Sequence, residues 1–347
     1  MKKCWKYLAL ILFLPLLMGG TVQVGTGPTK TTGTISKTIG ATGDYATFAA
    51  AIAAVPDLLA HNVTLTIKAG TTLSEACTVR NRHAVTDAYL LIRAEKYFPT
   101  SGGIPTADSA TATTLRDADL ASAALGDDYF NSCWVFIVDG TGTDNGYVLI
   151  TDYIDATGGV VVASWPGTQP DNTSRYLILG ALINAAGQTY GLNITNCSCQ
   201  ISIFGIGVKD ATTINIRGSM CLYVSVAGCG SYNAGAAGVQ SAYNNYMYFG
   251  NGGVVKNNTS NSGSYGGLNN NASGELYVNA CGISDNNQRG ILAIDGGHVY
   301  AVNCFGDNNG SWGSYAMYSG QINGYGTECS GSSGDHSNGS GDGSLAY

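Results

Sequence analysis

Two periods organise the hydrophobic and polar positions of this chain. The short one is two residues. Val63, Leu65 and Ile67 alternate with Thr64, Thr66 and Lys68, the mark of a strand with one buried face. Further strands are predicted at 89–94, 201–204, 222–226, 246–249, 276–278 and 299–302. The long period is 23 residues: it separates Gly267, Gly290 and Gly313, Tyr277 and Tyr300, Cys281 and Cys304, and Gly274, Gly297 and Gly320. Strands returning at one coil length predict a β-solenoid, in which coils stack and like residues form columns. Tyr223, Tyr248, Tyr277 and Tyr300, at steps of 25, 29 and 23, are expected to share one column. The pairs Asn257-Asn258, Asn286-Asn287 and Asn308-Asn309 mark turns. Stacked asparagines there hydrogen-bond one another and the backbone, and tolerate left-handed φ.

One segment breaks the strand pattern towards helix. Residues 44–57 place Phe48, Ile52 and Val55 on one face, with Asp44 as N-cap and Pro56 as the stop. Another segment, 109–180, breaks the coil period. Its alternating runs at 134–138, 147–151, 160–163 and 175–178, with turns at 139–142 and 155–158, predict a small antiparallel β-module inserted into the solenoid. The expected organisation is an export signal at 1–21, a flexible lead-in at 22–38, and a cap with the first coils at 39–108. The module at 109–180, coils at 181–330 and a Ser/Gly-rich tail at 331–347 follow.

Composition narrows the partners. Charged residues are 11% of the chain, against about 25% in an average protein. Net charge is −7 with 16 Lys plus Arg, so nucleic acid is excluded as a partner on electrostatic grounds. Anionic polymers gain no long-range attraction either. Lys2, Lys3 and Lys6 precede an apolar run at 8–17 and the small residues Gly19, Gly20 and Thr21. This reads as a cleavable export signal, too short to span a bilayer comfortably, with no membrane span after its removal; the alternative is an uncleaved anchor. Nine of the ten cysteines lie beyond it, without zinc-ligand spacing. Cys199 and Cys221 are 22 apart and Cys281 and Cys304 are 23 apart. Either a column of buried thiols or bonds between coils fits, because stacked strands bring Cα atoms about 4.8 Å apart.

The stretch Gly43-Asp44-Tyr45-Ala46-Thr47-Phe48, followed by Ala51-Ile52, Val55-Pro56, Val63-Thr64-Leu65-Thr66-Ile67-Lys68-Ala69-Gly70 and Glu75, resembles the first coil of right-handed parallel β-helix proteins of the pectin-lyase-like superfamily. The resemblance covers about 35 residues and implies a helix capping the solenoid's first coil, as an exposed apolar end requires. The segment with Asp127-Asp128-Tyr129-Phe130, Ile150-Thr151-Asp152-Tyr153 and Pro170-Asp171-Asn172-Thr173-Ser174-Arg175-Tyr176 is similar to modules of phage tail and tail-fibre proteins. The fold implied is all-β: a right-handed parallel β-helix with an N-terminal capping helix and an inserted antiparallel module. Tail spikes are commonly homotrimers, so the resemblance extends to that assembly. The catalytic motifs of the pectin-degrading enzymes are missing. Ser202-Ile203-Phe204-Gly205 has no preceding Asp, no Arg-Pro-Trp exists, and no Asp-x-Asp calcium loop is present. No metal or other cofactor is expected.

Two sets of residues are candidates for chemistry. Asp285 and Asp307, treated as one coil apart, would stack at about the spacing of a retaining glycosidase's carboxylates; as ordinary turn residues they would face water. Glu275, Asp295 and His298 are weaker candidates. Trp312, Tyr315, Tyr318 and Tyr325 crowd the last coils, and flat aromatic faces suit sugar rings, although tyrosine also stacks from coil to coil for purely structural reasons. The resulting expectation is a secreted, cell-envelope or phage-virion rod with a structural or adhesive role towards surface polysaccharide. A polysaccharide hydrolase or lyase is the competing class, and a plain stalk the third.

Overall fold

A computed structural model describes residues 30–99, 103–243, 245–256, 258, 265–338 and 344–346. The expected export signal, residues 22–29 of the lead-in, Cys4, Asn257 and parts of the tail lie outside the described residues. The chain is a parallel β-solenoid of about 12 turns. Val63–Ile67 buries Val63, Leu65 and Ile67 and pairs in parallel with Ile35–Ile39 on one side and Tyr89–Ala94 on the other. Ile35–Ile39, the end of the expected lead-in, is thus already a strand.

Each coil contributes strands to three faces. The first runs from Cys77–Arg80 through Ala237–Ala242 and Gly266–Asn271 to Trp312–Ala316. The second, here the open face, runs from Tyr89–Ala94 through Tyr246–Gly250, Glu275–Asn279 and His298–Val302 to Gln321–Tyr325. Two long strands, Tyr190–Phe204 and Ile214–Ala227, bend around the corner and belong to both. The third face runs from Thr71–Leu73 to Glu328–Gly331. Left-handed residues turn the corner between the first two faces: Asn81, Asn196, Met220, Tyr243, Asp295 and Tyr318, with φ from 48° to 56°.

The pairings Gly266↔Arg289, Leu268↔Ile291 and Ile291↔Ser314 put Gly267, Gly290 and Gly313 side by side. Their neighbours explain the repeat. A Cβ on Gly267 would lie 2.5 Å from Asn286 Nδ2, and one on Gly290 would lie 2.9 Å from Asn309 Nδ2. Those side chains form a buried ladder: Asn258 Nδ2 donates to Asn286 Oδ1 at 2.6 Å, and Asn286 Nδ2 donates to Asn309 Oδ1 at 3.0 Å. The 23-residue glycine period is the space this ladder needs.

The helix is shorter than expected, Phe48–Ala53, with Thr47 as N-cap. Asp44 instead accepts from the Thr38 amide and hydroxyl at 2.8 and 2.9 Å. Glu75, from the neighbouring coil, accepts from the Phe48 and Ala49 amides at 2.7 and 3.3 Å. It thereby satisfies helix N–H groups that have no partner within the helix. Phe48, Ala51 and Ile52 are buried in the solenoid's core.

An antiparallel sheet stands apart from the coils. Its order is Tyr97–Phe98, Arg175–Leu179, Trp134–Asp139, Tyr147–Ile154, Gly159–Val162, Thr114–Arg116 and Ser109–Ala110. One side of Trp134–Asp139 sends Val135 and Ile137 into the module's own core with Leu115, Phe130 and Tyr153. The other sends Phe136 and Val138, with Leu177 and Leu179, against Val254 and Tyr232 of the third face. Both sides of this strand are buried, so the alternation expected at 134–138 gives way to a continuous apolar run.

All nine described cysteines are unbonded and buried. Cys197, not Cys199, lies opposite Cys221. Burial pushes the Cys133 and Cys229 thiols up to about 12, which leaves them unreactive.

Candidate functional site

The open face carries a track of tyrosines. Val224↔Met247 places Tyr223 beside Tyr246, and Ser225↔Tyr248, Tyr248↔Tyr277 and Tyr277↔Tyr300 form the adjoining column. Tyr223 is therefore two residues out of the column expected for it, but on the same side of the sheet. The rings of Tyr223 and Tyr246 stack at 5.3 Å and 16°, and those of Tyr248 and Tyr277 at 5.7 Å and 16°. Tyr325, 75% exposed and opposite Val302, continues the track diagonally. Buried partners alternate beneath it: Met247, Phe249, Leu276, Val278, Val299 and Ala301. The rings are thus fixed to the core through every second backbone position. Gln200, Glu275, His298, Gln321 and Asn323 border the track.

The four aromatics singled out in the sequence do not share a platform. Trp312 and Tyr315 lie on the first face, three apart in one strand and hence on opposite sides of it. A Cβ on Gly334 would lie 2.6 Å from the Trp312 ring, and the Arg289 guanidinium sits 4.0 Å from the centre of the Tyr315 ring. Tyr318 is a left-handed corner residue. Tyr325 alone joins the track.

The two candidate aspartates are also separated in role. They are 22 residues apart, one short of the glycine period. The Asp285 amide donates to the Asp307 carbonyl, which places Asp307 opposite Ser284. Asp285 sits in the left-handed corner instead, with φ 54°. The expected stacked carboxylate pair is therefore replaced by a staggered one. Asp285 pairs at 3.3 Å with Lys256, whose side chain is 2% exposed. Lys256 also donates to the Thr143 carbonyl of the module. Burial pulls the Lys256 ammonium down from the usual lysine range, and Asp285, Asp144 and Asp139 oppose that shift.

Asp307 faces a cleft of about 490 Å³ between the module and the last coils, lined among others by Asp139, Arg175, Phe305, Glu328 and His336. Asp307 is exposed at the edge of the cleft; partial desolvation there raises its carboxyl above the usual range, and the charges of Asp139 and Asp285 add to the effect. Arg175 pairs with Asp139 at 3.7 Å and lies over the Phe305 ring at 4.3 Å. A raised carboxyl beside a second carboxylate is an arrangement shifted in the direction a general acid requires. The sequence does not disclose it, because Asp139 and Arg175 belong to the inserted module. Among the described residues, no group of three or more His, Cys, Asp or Glu is arranged to hold a metal, and no helix is long and apolar enough to cross a membrane.

No protein-family model matches the chain, and no curated protein matches it in sequence. Among solved structures, the tailspike protein gp49 from Pseudomonas phage LKA1 is similar at 8% identity and a TM-score of 0.21, over 82% of this chain and 69% of that one. A protein described as a glycoside hydrolase is similar at 6% identity and a TM-score of 0.23, over 82% of this chain and 89% of that one. Likeness at this level bears on no residue of the chain.

Proposed function

We propose that this protein is an adhesive rod, secreted, envelope-borne or carried on a virion, that binds a surface polysaccharide along its open face. The observation that carries this reading is the exposed tyrosine track, with two parallel ring pairs anchored in a rigid sheet. Four coil steps from Tyr223 to Tyr325 extend about 19 Å along the axis. That suits an extended chain of rings rather than a single sugar. Affinity is expected to rise with oligosaccharide length and to level off once the track is covered. Aromatic pairs contribute about 0.5–1.5 kcal/mol beyond their buried area, so Tyr277→Ala and Tyr300→Ala should each weaken binding by about 3- to 10-fold. Both side chains are at least partly exposed, and the fold should tolerate their loss. Glycan-array screening followed by titration calorimetry tests this; unchanged affinity in the double variant would refute the track.

The cleft supports a second reading, a polysaccharide hydrolase with Asp307 as general acid. It is favoured by the raised carboxyl of Asp307 beside Asp139. General acid catalysis contributes about 10²–10⁴-fold, so Asp307→Asn should cut reducing-sugar release by at least about 100-fold. The stability effect has the opposite sign. A carboxyl whose folded pKa is raised binds more protons folded than unfolded, so it destabilises the fold as pH rises through its titration. Asp307→Asn is expected to raise Tm at pH 7 while abolishing turnover. No turnover by the wild-type protein on any polysaccharide would remove this reading and leave the adhesive one.

A further inference from the structure

We infer that the hollow beside Tyr246 anchors the track and takes an uncharged, hydroxyl-presenting sugar residue, which makes the ligand a neutral polysaccharide. This rests on the adhesive reading and specifies its ligand.

The hollow holds about 270 Å³ and is lined by Cys221, Leu222, Asn245, Tyr246, Ser273 and Glu275. Its apolar walls are Leu222, 69% exposed, and the Tyr246 ring. Its polar groups are mainly acceptors. Asn245 is 1% exposed and gives its Nδ2 to Ser241 Oγ at 3.0 Å, while its Oδ1 is buried with no hydrogen-bond partner. That oxygen has no accessible surface, so Asn245 floors the hollow and leaves Glu275 as its accessible acceptor. Glu275 follows Tyr246 in the same column and is tied to Asn245 by its amide, which donates to the Asn245 carbonyl at 2.8 Å. It is exposed and adds an acceptor-only carboxylate.

Cations are missing from the part of this face that carries the track; Arg93, in Tyr89–Ala94 and opposite Phe204, lies beyond it. The open-face segments 200–204, 223–227, 246–250, 275–279, 298–302 and 321–325 contain no Lys or Arg. A uronate or sulfate would meet Glu275 with no counter-charge, on a chain of net charge −7. It would pay desolvation and repulsion together. A neutral sugar gives its hydroxyls to the Glu275 carboxylate and its C–H face to Tyr246 and Leu222, at no charge cost.

The full chain is titrated against neutral oligosaccharides of glucan, mannan, galactan and chitin, and against polygalacturonate and alginate, at 20 and 500 mM salt. Binding of a neutral glycan is expected, with less than about twofold change between the salts, since no ion pairs are screened. Glu275→Gln should weaken it about 5- to 10-fold by removing a charge-assisted acceptor. Glu275→Lys should lose the neutral glycan and gain salt-sensitive binding of the acidic polymers. Tighter binding of an acidic polymer by the wild-type protein, abolished by Tyr277→Ala and Tyr300→Ala together, would overturn the neutral-ligand inference and leave the track standing. Neutral binding that ignores Glu275→Gln would overturn the hollow as the anchor. Binding of no glycan, or binding indifferent to the tyrosines, would overturn the track itself.

Discussion

Asn286→Ala is expected to lower the unfolding free energy by about 4 kcal/mol. Asn286 is the middle step of the ladder, accepting from Asn258 and donating to Asn309, and all three side chains are no more than 2% exposed. Alanine removes the acceptor of both Asn258 Nδ2 and the Asn258 amide on one side, and on the other leaves Asn309 Oδ1 only the long 3.4 Å bond from the residue 286 amide. Each buried, unpaired group costs about 1–3 kcal/mol, and water has no route to replace the amide. The space left above Gly267 adds lost packing. Asn308→Gly is the control. Asn308 is exposed and left-handed at φ 55°, a conformation glycine adopts freely, so the change should stay within about 0.5 kcal/mol. Urea unfolding followed by circular dichroism gives the difference. Because solenoid stability is a sum of neighbouring coil interfaces, hydrogen exchange should show the loosening centred on the coils around residues 255–310. A loss below about 1 kcal/mol would mean the ladder is replaceable by backbone pairing alone.

The coils were legible in the sequence because apolar inward positions return about one coil apart and the glycine column has no room for a side chain beside the asparagine ladder. What the sequence leaves open is register. Asp285 and Asp307 are 22 apart and the glycines 23, and that single residue moves Asp285 from the strand into the corner. Cys221 likewise meets Cys197, 24 residues back, rather than Cys199. The length of each turn decides this, and turn length follows from backbone conformations that residue identity only biases. The four late aromatics are scattered for a related reason. Trp312, Tyr315, Tyr318 and Tyr325 are neighbours in sequence, yet in a solenoid sequence neighbours are carried to different faces and residues one coil apart become neighbours in space. The helix start failed where two good N-caps compete: Thr47 wins over Asp44 because Thr38 engages the aspartate. The cleft and the Lys256 contact were out of reach altogether. They join the module to coils more than a hundred residues away, and no periodicity links the two.

The Lys256–Asp285 pair should respond asymmetrically to its two deletions. Asp285→Asn leaves an ammonium that is 2% exposed with no adjacent counter-charge, and breaking a buried pair this way costs about 3–5 kcal/mol. Lys256→Met removes the buried charge itself. Asp285 keeps 26% of its side-chain surface in water, so the remaining cost, chiefly the unpaired Thr143 carbonyl, should be about 1–3 kcal/mol. The double variant should recover most of the difference between the two. The pH dependence separates them further. Burial already pulls Lys256 down, and losing Asp285 lowers it more, with only the more distant Asp144 and Asp139 left to oppose the shift. Between the folded pKa and the higher unfolded one the unfolded chain binds more protons, so stability rises with pH. Asp285→Asn should therefore fall furthest below Asp285→Asn combined with Lys256→Met near pH 7, and the gap should narrow towards pH 10, since the buried thiols titrate alike in both. Denaturant titrations at each pH provide the test, and equal costs for the two single variants would contradict a buried ammonium. The same asymmetry bears on the cleft. Loss of turnover in Asp285→Asn would follow from a displaced module, which carries Asp139, and restoration by the added Lys256→Met change would identify Asp285 as a counter-ion rather than a reacting group.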